Sequence, residues 1–505
     1  MTEPPEGHLG ATGRIRSGPA AELVDAGHRL ELADAPLLHR GLGLADLAHV
    51  IAAIEQGTIP AADGRTLTRA LLELHDADVS ELPLDPLQGD LFNVRERLLE
   101  QRIGAAAGWL TAGRSRREAG RIAFRIALRA RLLDCGDAAL RFAAALVALA
   151  TRERSTPMPD YTYLQIAQPT TAGHWILSFA HPALRDVERL HADFAWVNRS
   201  PAGAGGVNGS RFAADRDRLA ALLGFAEPVE HTRDALWQTD GLADAAAHAA
   251  IAATGASRFA EDLELYGSDE FGLLRIGDGL CRASALMPQK RNPYALVVIR
   301  GAAATLLGRA AGVLAAQHTP SGRTDNLLYV YGELCGAVEL ATRALALAAA
   351  VAESVEIDRA AAERALRTGF AQATDLAEEL TRSHGVPYRS AYRVVGRAVA
   401  AAIDAGRGPE ALDAAALDAA ARVVLGQPLA VDPALVARAL DPAAALATRT
   451  VTGGAAHPPM QAMLTACGAA IERARERRAA ARAAVATAER DLEELARALA
   501  GGERP

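Results

Sequence analysis

The chain has 505 residues, few cysteines, few aromatics and no cofactor signature, and each of these absences removes a class of protein. Its four cysteines, Cys135, Cys281, Cys335 and Cys467, are isolated and show no metal or redox spacing, which fits a reducing, cytoplasmic location. No GxGxxG, P-loop, HExxH or zinc spacing occurs, so no metal and no cofactor are expected. Basic residues number 54 against 61 acidic, a net charge of −7, which argues against nucleic acid as a partner. The N-terminus, Met-Thr-Glu-Pro-Pro-Glu, lacks the basic and apolar regions of a signal peptide. Alanine-rich runs such as 143–150 read as too short or too interrupted by charge to span a bilayer, so no membrane association is expected. No stretch alternates convincingly as a strand does. Aromatics are only 4%, and abundant alanine favours helices that pack closely.

The spacing of apolar residues predicts an all-α protein. Residues 1 to about 20 are rich in Pro, Gly and charge and read as loose. Residues 42–56 and 64–75 form a predicted helical hairpin about Gly57 and Pro60. A long helical stretch over 90–132 with one interruption follows, then a helix over 137–153. Tyr161 to Thr171 is polar, β-branched and closed by proline, and reads as a loop. Helices are predicted over 173–199, 213–224, 233–253 and 256–266, with a Gly-rich loop from Pro201 to Ser210. Residues 294–318 and 326–352 look like unusually long bundle helices. Beyond 355 shorter helices are predicted over 358–366, 373–383, 388–404, 414–424 and 432–438. A charged helix over 458–498, of solvated or coiled-coil-like character, ends the chain. The expected domains are an N-terminal helical domain (1–120), a central long-helix bundle (121–355) and a C-terminal helical domain (356–505).

Three polar stretches carry candidate chemistry. In Ser284-Ala285-Leu286-Met287-Pro288-Gln289-Lys290-Arg291-Asn292-Pro293, a hydroxyl, an ammonium and an amide share one loop, and Arg275 to Gly279 upstream supplies glycine freedom. A serine beside fixed donors suits removal of a proton from a carbon next to a carboxylate, whose growing charge those donors stabilise. Gly113-Arg114-Ser115-Arg116-Arg117-Glu118 reads as a carboxylate cradle or as a salt-bridged helix face. In Tyr161 to Thr171, Thr162, Gln165 and Gln168 offer uncharged donors, while Thr170 or Thr171 suits a helix cap.

Ser284 to Pro293 resembles the G-S-S-x-M-P-x-K-x-N-P signature of the fumarase/aspartase superfamily, in the form typical of argininosuccinate lyases. Leu110 to Arg116 resembles L-H-T-A-R-S-R, Tyr161 to Pro169 resembles Y-T-H-L-Q-x-A-Q-P, and Ala373 to Val399 and Arg449 to Gly454 match later motifs in order. The resemblance covers roughly residues 40 to 470. It implies three helical domains with a central bundle of very long helices, a homotetramer, and active sites shared between chains. The implied reaction is β-elimination from an N-substituted aspartate, a small-molecule dicarboxylate, to release fumarate and an amine. Ser284 then matches the base that takes the Cβ proton, and Lys290 and Asn292 match the holders of the charged carboxylate. Ser115, Arg116, Thr162 and Gln165 match further carboxylate ligands.

The departures fall on the other half of the site. The family histidine of T-H-L-Q is Tyr163 here, and its glutamate partner falls at Val297. Tyr163 is either a replacement general acid or an apolar filler. Two further family histidines read as Phe92 and Thr111. The residues that grip the arginine half of argininosuccinate read as Arg323, Leu328 and Tyr331. Arg323 and Arg117 add positive charge, which suggests an amine that itself carries an acid. Two alternatives stand beside this reading: elimination of another leaving group such as nitrite from a substituted succinate, and a non-catalytic member kept as a structural or binding protein.

Overall fold

The computed structural model describes residues 14–15, 17–212, 215–318, 327 and 329–502. Arg323 and Leu328, and most of the N-terminal stretch expected to be loose, lie outside the described residues.

The architecture is helical, as expected. The N-terminal hairpin pairs α1 (Ala35–Glu55) with α2 (Ala61–Asp76), and α3 (Leu91–Ile103) follows. The bundle begins with α4 (Arg116–Arg152), one helix of 37 residues or about 55 Å, where the sequence suggested two. No break falls between 132 and 137, and Gly136 there is a contact. A Cβ there would lie 2.0 Å from Nη1 of Arg478, so glycine makes room for an arginine from the far end of the chain. α5 (Ala172–Val197), α6 (Asp240–Tyr266), α7 (Tyr294–Ala316) and α8 (Tyr331–Ser354) complete the bundle. α6 likewise runs unbroken through Gly255, while Thr232–Trp237 is a separate short helix.

Side-chain pairs fix the helix directions. Arg131 meets Glu339 and Arg141 meets Glu353, so α4 and α8 run parallel. His248 meets Asp193 and Trp175 meets Asp262, so α5 and α6 are antiparallel. Arg300 meets Glu261 and Glu264, and Gln317 just past α7 meets Thr239 just before α6, so α7 is antiparallel to α6. One end of the bundle therefore gathers residues 116, 197, 240, 316 and 331. The other gathers 152, 172, 266, 294 and 354.

The loop predicted over 161–171 is instead half of an antiparallel hairpin, β1 (Pro157–Thr162) paired with β2 (Gln165–Thr171). Its prolines hide the strand pattern, and a two-stranded ribbon tolerates them because its outer edges need no ladder donors. Thr171 does cap α5, its Oγ1 accepting the His174 N–H at 3.1 Å. A second, very short pair, β3 (Arg282–Ala283) and β4 (Arg291–Asn292), closes the base of the serine loop.

Beyond the bundle, α9 (Ala373–His384), α10 (Tyr388–Asp404), α11 (Ala414–Leu425) and α12 (Pro433–Ala439) pack a core of their own around Leu376, Leu380, Val394 and Leu417. The last helix, α13 (His457–Gly501), packs elsewhere: Met460, Ile471 and Leu499 belong to the main core. Residues 356–505 thus divide between two cores. Several charges of α13 are used within the chain. Arg478 reaches Asp137 at 2.5 Å, Arg482 reaches Asp134 at 2.5 Å, and Glu489 and Glu493 hold Arg40 at 2.9 and 3.3 Å. α13 straps the bundle to the N-terminal hairpin.

Helices α1, α7 and α8 are long and apolar enough to cross a membrane by length and composition, contrary to the reading from short alanine runs. In α1 that apolar window is 72% buried inside the chain, against 39% in α7.

A buried charge cluster ties α1 and α3 to the start of α4. Asp46 receives Arg95 and Arg114 at 2.8 Å each, and all three side chains are 1% exposed. Removing the carboxylate strands two buried guanidinium groups. Asp46→Ala is expected to destabilise the protein by about 3–5 kcal/mol. Soluble yield and the urea midpoint check this, and an unchanged midpoint contradicts it.

Candidate active site

The first stretch sits at the start of α4. Ser115 caps it: Oγ accepts the Glu118 N–H at 3.1 Å and donates to the Gly205 carbonyl at 2.6 Å. Arg116 pairs with Asp90 at 2.7 Å and Arg117 with Glu31 at 2.9 Å. Within one chain this is the salt-bridged arrangement. The Gly-rich loop over 201–210 is also used internally, because Gly203 and Gly205 donate N–H groups to Glu118 at 2.7 and 2.6 Å. Burial raises the pKa of Glu118.

Arg116 and Arg117 line a cavity of about 40 Å³, together with Asp34, Phe92 and Tyr331. Tyr331 stacks on Phe124 at 4.1 Å, and the Arg121 guanidinium lies 5.8 Å from its ring centre. Burial outweighs the Gly332 N–H bond to Asp34, and its pKa rises to about 6. A carboxyl whose folded pKa is raised stabilises the fold most when protonated. That stability is present below the unfolded value of about 4 and is lost as pH rises through about 6. Asp34→Asn keeps an acceptor without charge. It should therefore gain about 1 kcal/mol over the parent at pH 8, after discounting for solvent screening, and almost nothing at pH 4. Thermal midpoints at the two pH values test this, and a larger gain at pH 4 would reverse the assignment.

The second stretch is the turn between β1 and β2. Tyr163 and Leu164 occupy it with φ of +53° and +57°, a left-handed pair that suits a tight hairpin but strains non-glycine residues. Tyr163 is 99% exposed, so within the chain it is not a buried filler. Thr162 and Gln165 flank it, also exposed, and Gln165 Nε2 donates to the Leu164 carbonyl at 3.3 Å.

The third stretch is the serine loop, held at its base by β3 and β4. Ser284 Oγ accepts the Met287 N–H at 3.0 Å and the Leu286 N–H at 3.3 Å. These are donors aimed at the oxygen that must carry charge when serine acts as a base. Asn292 Nδ2 donates to the Arg282 carbonyl at 2.9 Å and braces the loop. Lys290 is exposed, and it is the only lysine in the chain, all other basic residues of that class being arginine. That uniqueness is legible in the sequence and marks the position more sharply than the motif spacing alone. Val297 is exposed on α7.

The chain does not bring the three stretches together. The Arg116 group lies at one end of α4, and the hairpin turn and serine loop at the other, about 55 Å away along that helix. Among the described residues no three His, Cys, Asp or Glu side chains form a metal-ligating group.

Residues 43–308 match the lyase family, and residues 370–447 match the argininosuccinate lyase C-terminal family. The argininosuccinate lyase of Methanothermobacter thermautotrophicus is 32% identical over 412 residues, covering 81% of this chain and 88% of that enzyme. The argininosuccinate lyase of Methanoculleus marisnigri is 34% identical over 429 residues, covering 84% and 85%. The chain belongs to the argininosuccinate lyase family. Membership makes it an enzyme of the carbon–nitrogen lyase class that releases fumarate, within the fumarase/aspartase fold. In structure it is similar to an EDDS lyase variant with bound fumarate, with a TM-score of 0.85, 26% identity and 92% coverage of both chains. It also shares the fold of the 3-carboxy-cis,cis-muconate lactonizing enzyme of Pseudomonas putida, with a TM-score of 0.68 and 20% identity.

Proposed function

We propose that this lyase cleaves an N-substituted aspartate other than argininosuccinate, with Ser284 as the base and Lys290 and Asn292 at the carboxylate that gains charge. The observation that carries this is Ser284 Oγ receiving two backbone N–H groups on the loop that bears the sole lysine. Proton removal from Cβ yields a carbanion delocalised into the neighbouring carboxylate. Collapse of that carbanion breaks the Cα–N bond and frees fumarate. Ser115, Arg116, Thr162 and Gln165 bind the substrate carboxylates, once Arg116 exchanges part of its bond to Asp90 for the ligand. Tyr163, exposed on its turn, serves as the general acid for the departing nitrogen in a neighbouring chain's site; its exposure within one chain supports this.

The amine half departs from argininosuccinate. Tyr331 stands where the family lysine is expected, and it is packed on Phe124. The positive charge of Arg117 does not select an acidic amine, because Glu31 neutralises it and Asp34 and Asp90 line the same cavity. The reading requires a homotetramer, which would unite stretches that one chain holds apart. The exposed Val297, Val298, Leu307 and Leu314 on α7 supply an apolar face for it. A cytoplasmic setting agrees with four unpaired cysteines.

Fumarate absorbance with a panel of N-substituted aspartates tests the proposal, with argininosuccinate and nitrosuccinate as comparators. Turnover of a panel member above argininosuccinate is expected. Turnover of argininosuccinate alone, or release of nitrite alone, overturns it.

A further inference from the structure

Aromatic side chains are scarce in this chain, yet several converge on one place. Between α5 and α6, beneath the β1–β2 turn, lies a cavity of about 450 Å³. Tyr161, Trp175, Phe179 and Tyr266 wall it. Ring centres lie 5.4 Å apart for Tyr161 and Tyr266, 5.3 Å for Trp175 and Tyr266, and 6.0 Å for Trp175 and Phe179. Tyr163 and Leu164 of the strained turn form part of the rim.

The charged lining is unbalanced. Asp160, Asp186 and Asp262 face the cavity against one arginine, Arg258, which is itself exposed. Asp186 is buried and satisfied by Arg189 at 2.5 Å. Asp160 and Asp262 are half-buried, and among the described residues no ion pair reaches either. Asp262 accepts the Trp175 Nε1–H at 3.1 Å. Burial and the neighbouring Glu261 and Asp160 raise its pKa, and Trp175 and Arg258 oppose them.

Each class of occupant can be weighed on that lining. An anion such as fumarate meets the carboxylates of Asp160 and Asp262, which hold only N–H bonds from Tyr161 and Trp175 among the described residues, and the negative faces of the rings. A neutral hydrocarbon fills the aromatic part but strips water from the carboxylates without return. A cation with an apolar body satisfies both, through ion pairing at Asp160 and Asp262 and cation–π contact with Trp175 and Tyr266. The volume lies within the usual range for small-molecule sites, about 300–1,000 Å³.

We propose that this cavity is a binding site for an organic ammonium ion, its nitrogen between Asp160 and Asp262 and its hydrocarbon body against Trp175, Phe179 and Tyr266. The site does not depend on the lyase reading and uses none of Ser284, Lys290, Asn292 or Arg116. Its rim includes the Tyr163 turn, so occupancy bears on how that turn is held.

Calorimetric titration of the full-length protein with 2-phenylethylammonium is the test, with 2-phenylethanol as the neutral analogue and saturating fumarate as competitor. Saturable binding is expected for the amine and none for the alcohol, with no displacement by fumarate. Asp262→Asn, which keeps an acceptor for Trp175, should weaken binding about tenfold or more. Asp160→Asn serves the same purpose if the first variant folds poorly. The proposal is overturned if the alcohol binds as tightly as the amine, if both variants bind like the parent, if fumarate displaces the amine, or if no saturable binding occurs.

Discussion

Ser284→Ala should lower the rate of fumarate formation by about a thousandfold or more while leaving the fold unchanged. The size follows from the role. A positioned base typically contributes about 10²–10⁴-fold, and water cannot easily replace it on a closed loop. The fold is spared because the Leu286 and Met287 N–H groups that lose their acceptor are exposed and can turn to water. Lys290→Met should cost about 10²–10³-fold through the loss of charge at the developing aci-carboxylate. Lys290→Arg should recover only part of that, because a planar fork does not reproduce a compact point charge. The single lysine gives an independent readout: amine-directed labelling should modify Lys290 and the N-terminus alone, and fumarate should protect Lys290. Retention of the parental rate in Ser284→Ala, measured on protein with an unchanged melting transition, would falsify the role assigned to that serine.

The helices with strong apolar spacing and clear stops were legible from local sequence. α7, α10 and α12 fall within a residue or two of their predicted limits, because Pro and Gly end them without help from distant contacts. The failures have non-local causes. The break expected between 132 and 137 is absent, because Gly136 leaves space for Arg478, a residue more than three hundred positions away. The hairpin over 157–171 was missed because Pro157, Pro159 and Pro169 sit in a ribbon whose edges need no partners. The charged final helix reads as solvated or coiled-coil-like, and Arg478 and Glu489 reach inward to partners that no local pattern announces. The serine loop was located by its sequence, but the short β3–β4 pair at its base was not. The pairing of Arg116 and Arg117 with Asp90 and Glu31 was not legible, and it removes Arg117 from the argument for an acidic leaving amine.

An equal co-expression of Arg116→Ala and Ser284→Ala chains, each inactive alone, should recover roughly a quarter of the parental rate per site. Arg116 and Ser284 stand at opposite ends of α4, about 55 Å apart along the helix, and no motion of an intact bundle closes that distance. If both act on one substrate, they must come from different chains. With random assembly, each position is native in half the chains, and the two choices are independent, so about one site in four carries both. The control uses two changes on one loop: Ser284→Ala mixed with Lys290→Ala places both positions of any site on the same chain, and no activity should return. Recovery in both mixtures would mean that Ser284 and Lys290 serve different sites. Recovery in neither, with tetramers confirmed by mass, would place Arg116 outside the site and return it to the salt bridge with Asp90 that the single chain displays.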